Sequence, residues 1–272
     1  MKKLNLKEIQ KEELNMYLIL SNFLDDLNIN HFLFFGSLLG AVRHKGFIPW
    51  DDDMDIMIPR NDYDKLIQYL SNNTIKISNN LEFIGYELKN GKCQYLKLIN
   101  NDIDVIEDIG FDKKLWIDIF PLDKISENKK IQKKELKIQY LLHHSYVIKY
   151  LKFKNILNSH KSVINKLIKM IIKFFLILIP ENIIVKKLIN NSKKYKNLDC
   201  KTLACMVCPD NENQIYNISD FEIIKMNFEN KMVNVVKGYD EILKKTYGDY
   251  MKIPPINKRK THEMEVYLKE KN

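Results

Sequence analysis

Apolar positions change period several times along the chain, and each change marks an element. Over 5–28, Ile9, Leu14, Leu18, Leu20, Phe23 and Leu24 recur near helical spacing among charged neighbours, which predicts an amphipathic helix. His31-Phe32-Leu33-Phe34-Phe35 is almost wholly apolar and suits a buried strand. Gly36-Ser37 breaks it, with Ser37 as N-cap of a helix from Leu38 to about Lys45 that Gly46 would end. Pro49-Trp50-Asp51-Asp52 reads as a turn. Asp53 to Ile58 then alternates as a strand, Pro59 stops it, and Asn61 caps a helix from Asp62 to about Leu70. Leu81–Leu88 and Lys92–Ile99 flank Asn90-Gly91, a hairpin signal, and Trp116–Phe120 is a short strand ended by Pro121.

From Lys129 the period becomes helical until about Thr202, after which Asp240–Tyr247 is a helix before a Pro254-Pro255 turn. The pattern predicts an α+β chain with a small mixed sheet flanked by helices and a helical insertion. The expected division is 1–123 as core, 124–201 as a basic helical lobe and 202–272 as a segment packing back on the core. Within the lobe, Val163–Ile179 is strongly apolar but carries Lys166, Lys169 and Lys173 on one helical face. A buried core helix with snorkelling lysines, a helix on a membrane surface and, less readily, a spanning helix all accommodate it.

Charge sharpens this division. The net charge is +9, yet nineteen lysines against four acidic residues between Lys124 and Lys201 leave the remainder acidic. Lys outnumbers Arg heavily there and no nucleic-acid module accompanies it, so an anionic membrane face or an anionic glycan fits better than nucleic acid. The 45% apolar and 11% aromatic content excludes global disorder, and eight Gly and seven Pro argue against a turn-rich all-β fold. The basic start at Met1-Lys2-Lys3 leads into charged residues rather than an apolar run, so a cytoplasmic location is expected. Cys93, Cys200, Cys205 and Cys208 read as reduced, partly buried thiols.

The chemistry concentrates in acidic residues. Alternation puts Asp53 and Asp55 on one strand face, opposite Met54, Ile56 and Ile58, so the carboxylates are expected to point outward together. Like charges so placed call for a cation, and hard oxygen ligands suit Mg²⁺, with Mn²⁺ as an alternative. Asp118 offers a third carboxylate from a second strand. Gly36-Ser37 at a helix start would take a phosphate, with Arg43 and Lys97 as further phosphate contacts. A solvated acidic turn is the plain alternative; an EF-hand loop is disfavoured because Ile56 stands where Gly is needed.

The stretch Phe34–Tyr63, FFGSLLGAVRHKGFIPWDDDMDIMIPRNDY, resembles the signature of the LicD family. WIDIFPLD at 116–123 resembles its second block, and YGDYM at 247–251 with Pro254-Pro255 and His262 resembles its C-terminal block. The resemblance implies a nucleotidyltransferase-like fold and transfer of a phospho-alcohol, usually phosphocholine, from a CDP-linked donor such as CDP-choline. The acceptor it implies is a sugar hydroxyl of a surface glycan: teichoic acid, lipooligosaccharide or capsule, free or lipid-linked. Asp53, Asp55 and Asp118 match its metal ligands. Asp51 and Asp52 match its motif, Asp52 as a substrate contact, and Asp104 stands where the family commonly has Thr. Trp50 would stack on cytosine or cap the core, and His262 would bind phosphate or lie at the surface. Asp123 reads as a turn or helix cap, and Tyr247 and Tyr250 as packing residues rather than a choline cage. Two other functions remain open: transfer of NMP from an NTP, and a non-catalytic membrane-associated glycan-binding role.

Overall fold

Two long strands, Leu96–Ile106 and Lys114–Lys124, form the axis on which the remaining elements assemble. The computed structural model describes residues 1–73, 77–106, 113–158, 162–209, 214–259, 261 and 264–270. In chain order the elements are β1 (Lys2–Lys3), α1 (Leu6–Asp26), β2 (Phe32–Leu33), α2 (Phe35–His44), β3 (Asp55–Pro59), α3 (Arg60–Asn72), β4 (Leu81–Ile84), β5 (Leu96–Ile106) and β6 (Lys114–Lys124). Then follow α4 (Lys129–Tyr150), α5 (Phe153–Asn158), α6 (Val163–Leu178), α7 (Glu181–Ser192), β7 (Thr202–Ala204), β8 (Tyr216–Asn217), β9 (Ile223–Phe228), β10 (Lys231–Val236), α8 (Tyr239–Tyr247) and β11 (Glu265–Leu268).

The mixed sheet runs β1-β11-β5-β6-β3-β2; β4 joins through β5, and β7 and β8 join through β6. Only the β3–β6 pair among these is parallel. The sheet therefore exceeds the small one expected, because β7, β8 and β11 come from a region where short polar-interrupted runs carry little periodicity. Ile56, Met57, Ile58, Trp116, Ile117, Ile119 and Phe120 are all buried, so β3 and β6 are covered on both faces. This corrects the expected two-faced strand at 53–58. The ladder starts at Asp55, and Asp55 is itself buried.

Two capping expectations and one expected strand end fail for local reasons. α1 begins as predicted, with Asn5 and Glu8 forming a reciprocal cap. α2 starts earlier than expected, at Phe35 after the N-cap Phe34, and Ser37 does not cap it; the Ser37 hydroxyl instead accepts the Asp55 N–H at 2.8 Å. α3 starts at Arg60 behind Pro59, whose fixed φ suits a helix entry, so Asn61 is inside the helix. β6 runs through Pro121 rather than ending there. Its last residue paired with β5 is Ile119 and its first paired with β7 is Asp123, so no ladder bond to β5 or β7 is lost at the proline. β4 and β5 pair antiparallel as the hairpin signal implied, but across an eleven-residue link containing a 3-10 turn. Asn90 ties that link by accepting from Gly85 N and donating to Phe83 O.

The helical stretch after 129 is as expected, but its strongest apolar helix is not core. α6 turns Leu176 and Lys173 inward, beside a small cluster of Tyr146, Ile184, Val185, Leu188 and Ile189. Ile164, Leu167, Ile168, Ile171, Phe174, Phe175 and Leu178 stay exposed, the two phenylalanines by 64% and 61%. Its lysines find backbone carbonyls instead: buried Lys173 Nζ donates to the Lys149 carbonyl at the end of α4, and the more exposed Lys166 Nζ to Leu157 O. Carbonyls left open at a helix end are good partners for an ammonium group, which explains this inversion. No helix among the described residues is long and apolar enough to cross a membrane.

Candidate active site

Parallel pairing of β3 with β6 sets Asp55 directly against Asp118, and Asp118 N donates to Met54 O at 3.3 Å. On the other side of β6, Lys97 is the antiparallel partner of Asp118, with its Nζ 3.1 Å from Asp118 Oδ1. That approach is an ion pair rather than an aligned hydrogen bond, since the buried Oδ1 has no hydrogen-bond partner among the described residues. The ammonium also lies 4.5 Å from the Trp116 ring centroid. Burial first, then the charges of Asp53, Asp118 and Asp51, hold the Asp55 carboxyl well above the ordinary carboxylate range; Lys97 acts against them.

Asp51, Asp52 and Asp53 follow the turn and form a tight group, with one carboxylate oxygen of each within 4.8 Å of the others. Asp53 thus belongs to this group, whereas Asp55 and Asp118 stand beside it across β3–β6. Oxygen-only donors at such spacing fit a hard divalent cation. The turn is held from behind by α1: Gln10 Nε2 donates to Asp51 O at 2.8 Å and to Ile48 O at 3.3 Å. The start of α2 faces this group closely. A Cβ on Gly36 would come within 2.8 Å of Asp51 Oδ2. The helix start expected to take a phosphate therefore already faces a carboxylate. Just before Gly36, Phe35 sits at φ 45°, a left-handed conformation that costs a bulky residue about 1–3 kcal/mol.

The remaining residues singled out in the sequence have other partners. Arg43 donates to Tyr250 O at 2.6 Å and to His44 Nε2 at 2.9 Å. Trp50 is half-buried, with the Arg259 guanidinium 4.3 Å from its ring centroid. His262 lies outside the described residues. Asp104 is paired with Lys114 on the neighbouring strand. Asp123 is a correction: it lies within β6, fully buried, with Arg60 Nε donating to it at 2.6 Å and Met206 N at 3.3 Å, so it neither turns nor caps. Tyr250 packs as expected, its hydroxyl donating to Asp240.

One residue near the site escaped the sequence reading, and another was read only as packing. Tyr247 leaves 42% of its surface open, yet burial of its hydroxyl, and then the charges of Asp55, Asp51 and Asp53, raise its pKa. Glu13 sits on the buried face of α1 with only 1% of its surface exposed. A signal existed: Ile9, Glu13, Tyr17, Leu20 and Leu24 follow helical spacing, and Glu13 is the acid on that apolar stripe. Burial and then Asp53, Asp52, Asp51 and Asp55 push its carboxyl well above the usual range. A cleft of about 570 Å³, lined in part by Arg60, Leu122 and Phe221, lies at the opposite end of β3 and β6.

A mixed sheet that presents Asp55 beside Asp118, with an acidic turn alongside, is an arrangement suited to group transfer on phosphorylated substrates. Residues 28–154 match the family described as LicD/FKTN/FKRP, nucleotidyltransferase domain. Over those residues the chain is similar to the LicD family, and a full-length relative carries the same family name. The chain is 29% identical to the lipopolysaccharide cholinephosphotransferase LicD of Haemophilus influenzae, over 98% of this chain and all of the relative. Shorter matches are to an uncharacterized protein of Rickettsia typhi, 35% identical over 30% of this chain and 25% of the relative. A second, from Rickettsia prowazekii, is 43% identical over 22% of this chain and 24% of the relative.

Proposed function

We propose that the protein transfers phosphocholine, or a related phospho-alcohol, from a CDP-linked donor to a sugar hydroxyl of a cell-surface glycan such as lipopolysaccharide. The observation that carries this reading is the register pairing of Asp55 with Asp118 beside the Asp51–Asp53 turn. It is supported by similarity along the whole chain to a cholinephosphotransferase. Asp53, Asp55 and Asp118 would hold Mg²⁺ or Mn²⁺, with Asp51 and Asp52 adjoining. Such an ion, when bound, neutralises diphosphate oxygens and makes a nearby hydroxyl easier to deprotonate. Lys97, restrained by Asp118 and Trp116, holds positive charge beside the carboxylates, where a donor phosphate would meet it. Gly36 and Ser37 shape the start of α2 under the donor, Arg43 and Trp50 line the rim, and the open ring of Tyr247 covers the carboxylates from the α8 side. The acceptor hydroxyl attacks the choline-side phosphorus in line, CMP leaves, and one carboxylate takes the proton.

The nucleotidyltransferase-like character of residues 1–123, the packing of 202–272 on that core and the separate role of 124–201 belong to the same reading. The basic lobe and the open apolar face of α6 support peripheral contact with an anionic membrane at its cytoplasmic side, where a lipid-linked acceptor would be met. Incubation with CDP-choline, CDP-ethanolamine, CDP-glycerol or CDP-ribitol plus Mg²⁺ should release CMP with one of them. The family description favours one second reading, NMP transfer from an NTP, which would release pyrophosphate in a parallel assay.

A further inference from the structure

We propose that Glu13 is a fourth carboxylate of the cation site at Asp51–Asp53, reaching it from α1 on the inner side of the turn. This rests on reading the acidic turn as a cation site, and it adds a residue outside the turn and strands. Glu13 is almost completely buried, and its Oε2 has no hydrogen-bond partner among the described residues. A structural buried acid is normally hydrogen-bonded, so an unsatisfied oxygen needs another explanation. Its position supplies one. Gln10, one turn earlier on the same face, grips the backbone of Asp51, so α1 is locked to the acidic turn and Glu13 is carried toward it.

The charged groups that act most strongly on Glu13 are Asp53, Asp52, Asp51 and Asp55, all acidic. Lys97 is committed to Asp118 on the far side of Asp55. Among the described residues, the charges that weigh most on Glu13 are therefore those of the acidic turn and of Asp55 behind it. A divalent ion bound directly by Glu13, or through one of its waters, would satisfy Oε2 and relieve the repulsion.

The test is Mn²⁺ titration by calorimetry on the wild type, Glu13→Gln and Asp53→Asn, with melting of each in chelator. Glu13→Gln keeps the shape of the side chain, so the expected result is Mn²⁺ affinity weakened by about 10–100-fold, with metal-free melting unchanged or raised. A residue with only a structural role would lower the metal-free melting temperature and leave affinity alone; wild-type affinity in Glu13→Gln overturns the proposal while the cation reading stands. Failure of the wild type to bind Mn²⁺ would instead remove the cation reading itself, and the proposal with it. Should Glu13→Gln not fold, anomalous scattering from Mn²⁺-soaked wild-type crystals decides. A peak about 2–2.5 Å from the Glu13 carboxylate, or about 4 Å through one water, supports the assignment, and a peak farther away overturns it.

Discussion

Asp55 and Asp118 are register partners on β3 and β6, two parallel strands contributed by distant parts of the chain. Each carboxyl thereby stands in the other's field, and Asp55 has the added charge of Asp51 and Asp53. The raised pKa has a defined sign. The unfolded chain loses this proton first as pH rises above the ordinary 3.8, so without metal the folded state loses stability with rising pH. Asp55→Asn should remove that slope and cut transfer by about 100-fold or more. Melting curves in chelator from pH 4 to 8, with CMP release at neutral pH, measure both; wild-type turnover in the variant refutes the role.

Mg²⁺ should raise the melting temperature of the wild type and chelator should reverse the rise. At about 100 times its dissociation constant the ion stabilises by about 2.7 kcal/mol, enough for a shift of several degrees. Asp53→Asn should flatten this response. An equal shift in that variant would place the ion elsewhere.

Glycines separate stability from chemistry. A Cβ on Gly40 would come within 2.5 Å of the Gly46 carbonyl, a backbone atom that cannot swing away. Gly40→Ala should therefore cost about 1–3 kcal/mol in urea unfolding. On Gly36 the obstacle is the Asp51 carboxylate, a mobile group, so Gly36→Ala should cost less stability and more transfer activity. Equal stability losses would contradict the distinction.

Arg60 anchors the far end of the same strands. It pairs with buried Asp123 at 2.6 Å and donates to Ser192 at 3.1 Å, which links α3, β6 and the end of α7. Arg60→Ala leaves a buried carboxyl unpaired and should cost about 3–5 kcal/mol, with partial recovery when Asp123→Asn is added. Additive losses in urea unfolding of the double variant would show that the pair is not coupled.

His143 should give an opposite pH effect. Burial lowers its pKa from 6.5 to about 4, with Gln94 Nε2 at 2.9 Å from its Nδ1. The unfolded chain takes up the proton first, so stability present above pH 6.5 is lost progressively toward pH 4, by no more than about 3 kcal/mol. The difference in unfolding free energy between wild type and His143→Gln should shrink over that interval. A constant difference would mean that His143 titrates normally.

Much of the site was legible because its residues lie in short local patterns. Asp53, Asp55 and Asp118 were visible as acids in otherwise apolar strand-like runs, and Arg43, Trp50 and Lys97 as polar residues near them. Glu13 was hidden because a charged residue in a helix of mixed composition reads as solvent-facing until its stripe is traced. Ser37 was misread for another reason. An N-cap and an acceptor for a neighbouring strand's N–H look alike in sequence, and only the position of Asp55 separates them.

Local periodicity by itself determined that the chain starts with an amphipathic helix, that it mixes strands with helices up to about 123, and that long helical stretches follow, read as far as about Thr202 where the last of them ends at Ser192. These are properties of side-chain spacing within one element, and spacing is written along the chain. The tertiary structure alone decided that β3 lies against β6, that β11 returns to β5, and that the apolar face of α6 stays open while Lys173 turns inward. Each depends on which distant backbone supplies a hydrogen-bond partner or a packing surface, and no window of adjacent residues carries that information.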